Sequence, residues 1–360
     1  MRPIERLAYD LSQGARVAWF MGQYLATRRL SREANRGIAW PRNMPGRQAV
    51  LADMRSLFLR DRANVEAGIY RLPQDGVASP LAVLRKSRLF FRDLARVNER
   101  RMAGGHQEVE REGIGGAGLP RYYRQNFHYQ TGGWLTEESA RLYDYQVEVL
   151  FAGGANAMRR QALVPVHHFL KRRTAQGPVH LLDVACGTGT FLSFVRRNFP
   201  AVEVTGVDLS AAYLAVARRR LRRFGKAVFL EGAAEKLPFP DASFDLLTTV
   251  YLFHELPPAV RHRAVAEFAR VLRPGGQVIL VDTIQKGDHP PFDALLDAFP
   301  LTHHEPYYAR YIGEDLDALF GQAGFVTVGH ERAHLSKVSL FERPAQAGAN
   351  GRPSDKPAAA

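Results

Sequence analysis

The spacing of hydrophobic and polar positions changes about halfway along the chain. In the first hundred residues, apolar side chains recur every three to four positions with arginines between them, which predicts amphipathic helices. The clearest of these patterns runs from Pro3 to about Arg32, and others follow at Ala49 to Arg60 and Leu81 to Met102. A segment with two prolines and a glycine, 41–46, separates the first two. We therefore expect a mainly helical N-terminal region.

An aromatic and polar segment, 122–134, comes before two further helical patterns. Thr136 is placed to cap a helix from Glu137 to about Phe151, and a second helix is predicted from Asn156 to Arg173. We expect the aromatic segment to fold over a ligand pocket as a lid, although a plain packing role for its rings fits equally well.

After Gly177, short aliphatic or β-branched runs alternate with helical patterns, which is typical of a parallel sheet with helices on both faces. The runs predict strands at Val179 to Ala185, Glu203 to Asp208, Ala227 to Glu231, Phe244 to Tyr251, Gln277 to Thr283, Val326 to His330 and Ser336 to Phe341. The expected fold is α/β, with a doubly wound sheet of seven mostly parallel strands.

This organisation divides the chain into four parts. We expect a basic helical region at 1–120, an aromatic lid segment with helices at 121–175, and the α/β domain at 176–343. A tail at 344–360 is rich in Pro, Gly and Ala and is predicted to be disordered.

A glycine turn after the first predicted strand carries the main chemical signal. Gly187 and Gly189 let backbone N–H groups and a helix N-terminus approach a carboxylate or a phosphate closely. Asp208, about 20 residues further on, is placed to accept hydrogen bonds from ribose hydroxyls. Leu192 stands where a dinucleotide-binding turn has its third glycine, and the Asp183 carboxylate would repel a pyrophosphate but attract an ammonium group. The pattern favours S-adenosylmethionine over a dinucleotide.

Four sequence blocks, at 182–189, 206–210, 234–245 and 271–276, occur here in a fixed order. With these blocks the chain resembles class I S-adenosylmethionine-dependent methyltransferases, in particular the branch of ubiquinone/menaquinone C-methyltransferases, over roughly residues 179–341. The resemblance implies a Rossmann-like fold and S-adenosylmethionine as the cofactor. It implies cofactor contacts from Asp183, Ala185, Gly187, Gly189, Asp208, Leu209, Ala233 and Ala234.

Within this set, the resemblance assigns Asp183 and the glycine turn to the methionine part, Asp208 to the ribose, and the segment around Ala233 to the adenine. The chain departs from the usual pattern at two places. Ala185 replaces the first glycine of the turn, and Ala233 stands where this branch often has an aspartate that contacts the adenine amino group.

Candidate catalytic residues lie beyond the fourth predicted strand and in a later insertion. Ligands bind at the carboxyl ends of parallel strands, so the side chains of Tyr251, Phe253, His254 and Glu255 are expected beside the methyl group. Tyr251 or Phe253 is expected to face the sulfonium, and His254 to act as a general base or only to hydrogen-bond within its loop. His304 is expected to contact the acceptor from the insertion. Neighbouring residues seldom ligate one ion, so the pair at 303–304 predicts no metal. We expect Cys186 to be an inert small residue.

Composition adds information about partners. The net charge is +13, and residues 1–120 hold 21 basic and 12 acidic side chains. Such a surface attracts anionic lipid or nucleic acid. We expect a small apolar or amphipathic acceptor, such as a quinone, a phenol or a lipid, and peripheral contact with an anionic membrane.

Methylation of RNA or protein is the alternative, and a scaffold that binds the cofactor without turnover is another. No RNA-binding module is recognisable, which argues against nucleic acid. One cysteine and the absence of a long apolar run favour the cytoplasm, with peripheral contact at the inner face of a membrane. The sequence does not determine the oligomeric state.

Overall fold

The structure is a computed structural model that describes residues 1–74, 80–116, 118–173 and 177–345 of the 360-residue chain. Disorder was predicted for the tail at 344–360. Of these residues, only 344 and 345 belong to the part of the chain that the structure describes. None of the helices in these ranges is both long and apolar enough to cross a membrane.

In the described residues, seven α-helices precede the sheet. They are α1 (Pro3–Leu30), α2 (Arg47–Glu66), α3 (Pro80–Met102), α4 (Glu108–Arg111), α5 (Glu137–Leu150), α6 (Ala155–Gln161) and α7 (Leu163–Arg172). Two short 3₁₀ turns, Arg121–Tyr123 and Phe127–Tyr129, lie between α4 and α5. The Thr136 hydroxyl accepts a hydrogen bond from Ser139 N at the start of α5, as its capping position predicts.

The rest of the described chain alternates between strands and helices. Its elements are β1 (His180–Val184), α8 (Thr190–Asn198), β2 (Glu203–Asp208), α9 (Ala211–Leu221), β3 (Val228–Glu231), β4 (Phe244–Val250), α10 (Pro258–Val271), β5 (Leu272–Thr283), α11 (Asp293–Ala298), α12 (Tyr308–Tyr311), α13 (Leu316–Gln322), β6 (Val326–Ala333) and β7 (Ser336–Glu342). Four 3₁₀ turns accompany them, at Arg222–Phe224, Phe253–Glu255, Pro290–Phe292 and Phe299–Leu301.

The strands form one sheet in the order β3-β2-β1-β4-β5-β7-β6. Neighbouring strands from β3 to β5 are parallel, and β7 is antiparallel to both β5 and β6. The strand order reverses direction between β1 and β4, which opens a crevice at the carboxyl ends of these two strands. The expected fold, a doubly wound, Rossmann-like sheet of seven mostly parallel strands, is confirmed.

The central strands are buried because helices cover both faces of the sheet. Leu181 and Leu182 in β1 and Leu246 and Leu247 in β4 are each fully buried, and neighbours in each pair belong to different core clusters on opposite faces. Alternate strand residues point to opposite faces, so continuous aliphatic runs are required here. This double burial is why the sequence pattern located the strands well.

The N-terminal helices pack against the α/β unit through α5 and α6. Helices α1 and α3 contact α5, and α2 contacts α6. The Asp61 carboxylate of α2, fully buried, accepts hydrogen bonds from Tyr9 (2.6 Å) and Tyr70 (2.7 Å) and two from the Arg160 guanidinium of α6 (2.9 and 2.7 Å). One buried carboxylate therefore ties α1, α2 and α6 together. The division at residues 120 and 175 stays a prediction.

One helix prediction was wrong. The single helix expected from Asn156 to Arg173 is two helices, α6 and α7, which meet at Ala162. Pro165 lies in the first turn of α7, where it has no N–H to donate and its ring would clash with the carbonyl of Gln161 in a continuous helix. The proline therefore starts a new helix.

Candidate active site

A cavity lies at the crevice between the ends of β1 and β4, and we call it the sheet-edge cavity. Its wall combines residues at the ends of four strands, β1 to β4, with aromatic side chains from the segment before the sheet. The lining residues are Tyr122, Tyr123, Trp134, Tyr143, Ala185, Gly187, Asp208, Leu209, Tyr213, Gly232, Ala234, Val250, Tyr251, Leu252, Glu255 and Leu256.

The glycine turn forms the floor of this cavity with left-handed backbone angles. Ala185 has φ +57° and Gly187 has φ +53°. A β-carbon added to Gly187 would meet only a ring carbon of Tyr213, at 3.9 Å, so the turn presents bare backbone to the cavity. At Gly189 (φ +71°) the same carbon would lie 3.0 Å from Ala217, which places this glycine against α9 instead of at the ligand. The two glycines therefore have different tasks.

Asp208 faces the cavity from the end of β2. One carboxylate oxygen accepts a hydrogen bond from Gly187 N and the other from Ser210 N, each at 2.8 Å. Burial raises the pKa of Asp208 to about 6, and the hydrogen bonds from backbone N–H groups oppose that rise. A carboxylate oxygen can accept more than one hydrogen bond, so both oxygens remain able to bind ribose hydroxyls. The bare turn and this carboxylate fit S-adenosylmethionine.

Two of the predicted cofactor residues lie behind the cavity wall. The Asp183 side chain is 2% exposed and accepts a hydrogen bond from the Thr248 hydroxyl at 2.6 Å. Burial raises the pKa of Asp183 to about 7. Ala233 pairs with Lys236 in an isolated bridge, while its neighbours Gly232 and Ala234 line the cavity. Gly189 does not line the cavity either, and the predicted cofactor contacts of all eight residues stay predictions.

Helix α5 braces the glycine turn through Asp144. Its carboxylate accepts hydrogen bonds from the hydroxyls of Thr188 (3.0 Å) and Thr190 (2.8 Å) and forms an ion pair with Arg220 of α9. The Asp144 side chain is desolvated, yet Arg220 and a second arginine lower the pKa of this carboxyl below its usual range. Sequence reasoning missed this residue because no local pattern distinguishes it from other acidic residues on a helix.

A second cavity, which we call the helical cavity, lies between the N-terminal helices and the α/β unit. It has a volume of about 800 Å³, and most of the side chains around it are apolar. Helices α1, α2, α3 and α5 contribute to its wall, together with the segments 128–134 and 295–303. Trp134 and Tyr143 line both cavities. The two cavities therefore meet at these two rings.

Near this junction lies a group of buried ionisable side chains, which we call the carboxylate–histidine cluster: His128, His254, Glu255, Asp282 and Glu305. His254 Nδ1 lies 2.6 Å from an oxygen of Asp282, and His128 Nε2 lies 2.7 Å from an oxygen of Glu305. Trp134 Nε1 donates a hydrogen bond to Glu255 at 3.1 Å. Glu255 lines the sheet-edge cavity and His128 lines the helical cavity.

Burial and mutual repulsion dominate the electrostatics of the cluster. Burial raises the pKa of Glu305 to about 8, and burial together with Glu305 raises the pKa of Glu255. Burial by itself would lower the pKa of His254, but the Asp282 carboxylate outweighs it and raises that pKa to about 9. Burial and His254 lower the pKa of His128 to about 3. These raised pKa values mean that Glu255 and Glu305 hold their protons at neutral pH, while His254 is protonated beside Asp282.

The structure brings together two of the three residues predicted to be catalytic. Tyr251 lines the sheet-edge cavity, and its hydroxyl shares a hydrogen bond with Ser336 at 2.8 Å. His254 belongs to the cluster. His304 lines neither cavity, since its Nε2 lies 2.7 Å from the Gln125 side-chain oxygen and its ring stacks on His106. The catalytic role of His304 stays a prediction. The next residue in the sequence, Glu305, belongs to the carboxylate–histidine cluster.

Comparison with known proteins adds the following findings. A family described as a methyltransferase domain matches residues 181–276. A ubiquinone/menaquinone biosynthesis C-methyltransferase of Methylobacterium nodulans is 36% identical over 163 residues, which are 44% of this chain and 62% of the relative. A phthiotriol/phenolphthiotriol dimycocerosates methyltransferase of Mycobacterium tuberculosis is 34% identical over 141 residues, 39% of this chain and 51% of the relative.

Among solved structures, a SAM-dependent methyltransferase from Methanosarcina mazei is similar to 51% of this chain and 98% of its own, at 22% identity and a TM-score of 0.40. The chain thus spans about half to two thirds of the curated relatives given above. The expected resemblance to the quinone-methylating branch is confirmed, and residues 1–180 lie outside the matched domain.

Proposed function

We propose that residues 181–276, which match a methyltransferase domain, bind S-adenosylmethionine and that the protein methylates a small amphipathic acceptor with an apolar chain. The reactive, oxygen-bearing end of the acceptor lies at the junction of the two cavities, and its chain occupies the helical cavity. The observation that carries this proposal is the apolar cavity of about 800 Å³ that meets the sheet-edge cavity at Trp134 and Tyr143.

The volume and the chemistry of the helical cavity support this assignment. Pockets for small ligands have volumes of about 300–1,000 Å³ and are mostly apolar with a few polar groups. Here the polar groups are those of the carboxylate–histidine cluster at one end. Two relatives are named for ubiquinone/menaquinone biosynthesis and for phthiotriol/phenolphthiotriol dimycocerosates, and these names support an acceptor of this kind.

In this proposal each side chain has a limited task. The cofactor supplies an electrophilic methyl group on a sulfonium. The Asp208 carboxylate holds the ribose, and Tyr251 and Tyr143 offer aromatic faces near the cation, which are worth about 0.5–2 kcal/mol through cation–π attraction. Displacement at a methyl group mainly requires alignment of the acceptor and exclusion of water. The cluster residues Glu255 and Glu305 hold the polar end of the acceptor.

A basic recess at the outer end of the helical cavity supports entry of the acceptor from an anionic membrane. Leu25 and Trp40, each 45% exposed, line both this recess and the helical cavity. The recess also contains four arginines, Arg28, Arg29, Arg32 and Arg36. Arginines attract anionic headgroups, and a tryptophan is at home at the boundary between lipid and water. We propose that this face contacts the membrane peripherally.

The test is methyl transfer from labelled S-adenosylmethionine to phenols and hydroxyquinones that differ only in alkyl chain length. Because each buried CH₂ contributes about 0.8 kcal/mol, kcat/KM is expected to rise about fourfold per CH₂ until the cavity is filled. Leu25→Glu at the mouth should abolish this dependence, whereas Leu11→Glu, exposed on the same helix and outside the cavity, should leave it unchanged.

Two controls complete the experiment. For long-chain acceptors, phosphatidylglycerol vesicles should support faster transfer than phosphatidylcholine vesicles, since the recess is basic. Rates that are independent of chain length would contradict the proposal, and transfer to RNA or protein in place of the small acceptors would replace it with the alternative function.

A further inference from the structure

The carboxylate–histidine cluster contains a set of atoms arranged as metal ligands. One ligand atom each from His254, Glu255 and Glu305 lie within 4.8 Å of one another. Two of these residues belong to the 3₁₀ turn Phe253–Glu255 after β4, and the third comes from the insertion before α12. Imidazole nitrogen and carboxylate oxygen together suit first-row divalent transition metals. The topology thus brings distant residues into one potential coordination sphere.

Glu305 gives the second observation. It is 4% exposed, and neither of its carboxylate oxygens forms a hydrogen bond. His128 Nε2 is likewise buried without a hydrogen bond, although it lies only 2.7 Å from a Glu305 oxygen. Buried carboxylates without hydrogen bonds are costly. A cation bound by the Glu305 carboxylate would supply the partner that this group lacks.

The third observation concerns the support of His254. Its Nδ1 lies 2.6 Å from Asp282, whose other oxygen accepts a hydrogen bond from Phe253 N at 2.8 Å. Histidine ligands of metals usually donate their second ring N–H to a carboxylate, which fixes the ring and leaves Nε2 free to coordinate. Asp282 therefore holds His254 in the orientation that a metal ligand needs.

From these contacts we infer that the protein binds a divalent first-row transition metal ion through His254, Glu255 and Glu305. The site lies between the sheet-edge cavity, which Glu255 lines, and the helical cavity, which His128 lines. A cation bound there would replace the protons of Glu255 and Glu305. It would also lie beside the acceptor oxygen, and only this last statement rests on the proposed function.

The experiment uses the full chain, treated with a chelator and then titrated with Co²⁺, whose visible absorption reports coordination by nitrogen and oxygen. One Co²⁺ per chain is expected, displaced by Zn²⁺. Glu305→Gln keeps the shape of the side chain but removes the charge, and it should weaken Co²⁺ binding at least tenfold. The matched control is His180→Asn, which removes an exposed histidine 3.3 Å from Glu203 and should leave binding unchanged.

A second readout does not depend on colour or turnover. Zn²⁺ should raise the melting temperature of the wild type and of His180→Asn, but not that of Glu305→Gln, because a ligand that binds only the folded state stabilises it. Absence of stoichiometric binding, or equal binding by Glu305→Gln, would overturn the metal site. An acceptor that is methylated but leaves the Co²⁺ spectrum unchanged would overturn only the link to the acceptor oxygen. A failed methylation assay with intact Co²⁺ binding would instead count against the proposed function.

Discussion

The two cavities are built from different parts of the chain by different means. The floor of the sheet-edge cavity is backbone, with two left-handed residues and one carboxylate held by N–H groups of the turn. The wall of the helical cavity is made of side chains from helices that are far apart in sequence. A site of backbone groups tolerates little change in volume, whereas a site of apolar side chains can be reshaped one residue at a time. The helical cavity, which we propose holds the acceptor, is therefore where acceptor specificity can vary.

The largest effect is expected from separating the two regions. Asp61→Ala removes the carboxylate that faces the buried Arg160 guanidinium and should lower the free energy of unfolding by about 3–5 kcal/mol. Below the melting temperature, turnover of a long-chain acceptor should fall, while the dissociation constant for S-adenosylmethionine should change less than threefold. Chemical denaturation and calorimetric titration measure the two quantities.

The control for this variant is Asp10→Ala. Asp10 of α1 pairs with Arg62 of α2 at 2.9 Å, and this ion pair is partly exposed. Exposed pairs contribute about 0–1 kcal/mol, so little change is expected. Equal destabilisation by both variants, or loss of cofactor binding in Asp61→Ala, would mean that the two regions are one cooperative unit.

An intermediate effect is expected from adding one methyl group to the cofactor side. Gly189→Ala combines a positive φ with a contact 3.0 Å from Ala217 and should lower the free energy of unfolding by about 1–3 kcal/mol. On the helical side, Gly14 of α1 has open space around it, and Gly14→Ala should stabilise the protein by about 0.5–1 kcal/mol. Thermal unfolding of both variants measures whether the cofactor side and the helical side differ in their tolerance of an added methyl group. Changes of the same sign in the free energy of unfolding would contradict this difference.

The smallest effect concerns the pH dependence of cofactor binding. Burial raises the pKa of Asp208 to about 6, so the free protein holds this proton more tightly than the unfolded chain does. The associated stability is present below about pH 4 and is lost as the pH rises through 6. Ribose hydroxyls need the ionised carboxylate, so affinity for S-adenosylmethionine should fall about tenfold per pH unit below 6 and level off above it.

Calorimetric titration between pH 5 and 7 measures this profile. Asp208→Asn, which does not titrate, should bind weakly at every pH and show a flat profile, and NADH should not bind to either protein. A flat profile for the wild type would show that Asp208 does not bind the ribose. The sheet-edge cavity would then hold the cofactor through backbone groups alone.

Much of the fold could be predicted because its signals are local. Strand β2 was predicted with the bounds that the structure shows, since a buried parallel strand leaves a short-range hydrophobic pattern. The break at Ala162 was missed because the helical period continues through it, although Pro165 carried the signal.

The candidate site was predictable to a different extent on its two sides. The glycine turn and Asp208 lie within 22 residues of one another, and their spacing alone indicated a nucleoside-type ligand. The His, Glu and Tyr side chains of the insertion, including His304 and Glu305, were all candidates for contact with the acceptor. Only the structure shows that Glu305 enters the cluster and His304 does not, because the direction of a side chain in an irregular insertion depends on packing.

The sequence by itself thus determined the α/β fold, the glycine turn and the cofactor, because each depends on hydrophobic period or on residues near one another along the chain. Only the tertiary structure decided that Asp144 braces the turn, that α1 to α3 enclose an apolar cavity, and that His128, His254 and Glu305 meet. These contacts join positions 44 to 177 residues apart, and no short-range pattern encodes them. They form only when burial of the apolar helix faces brings those positions together.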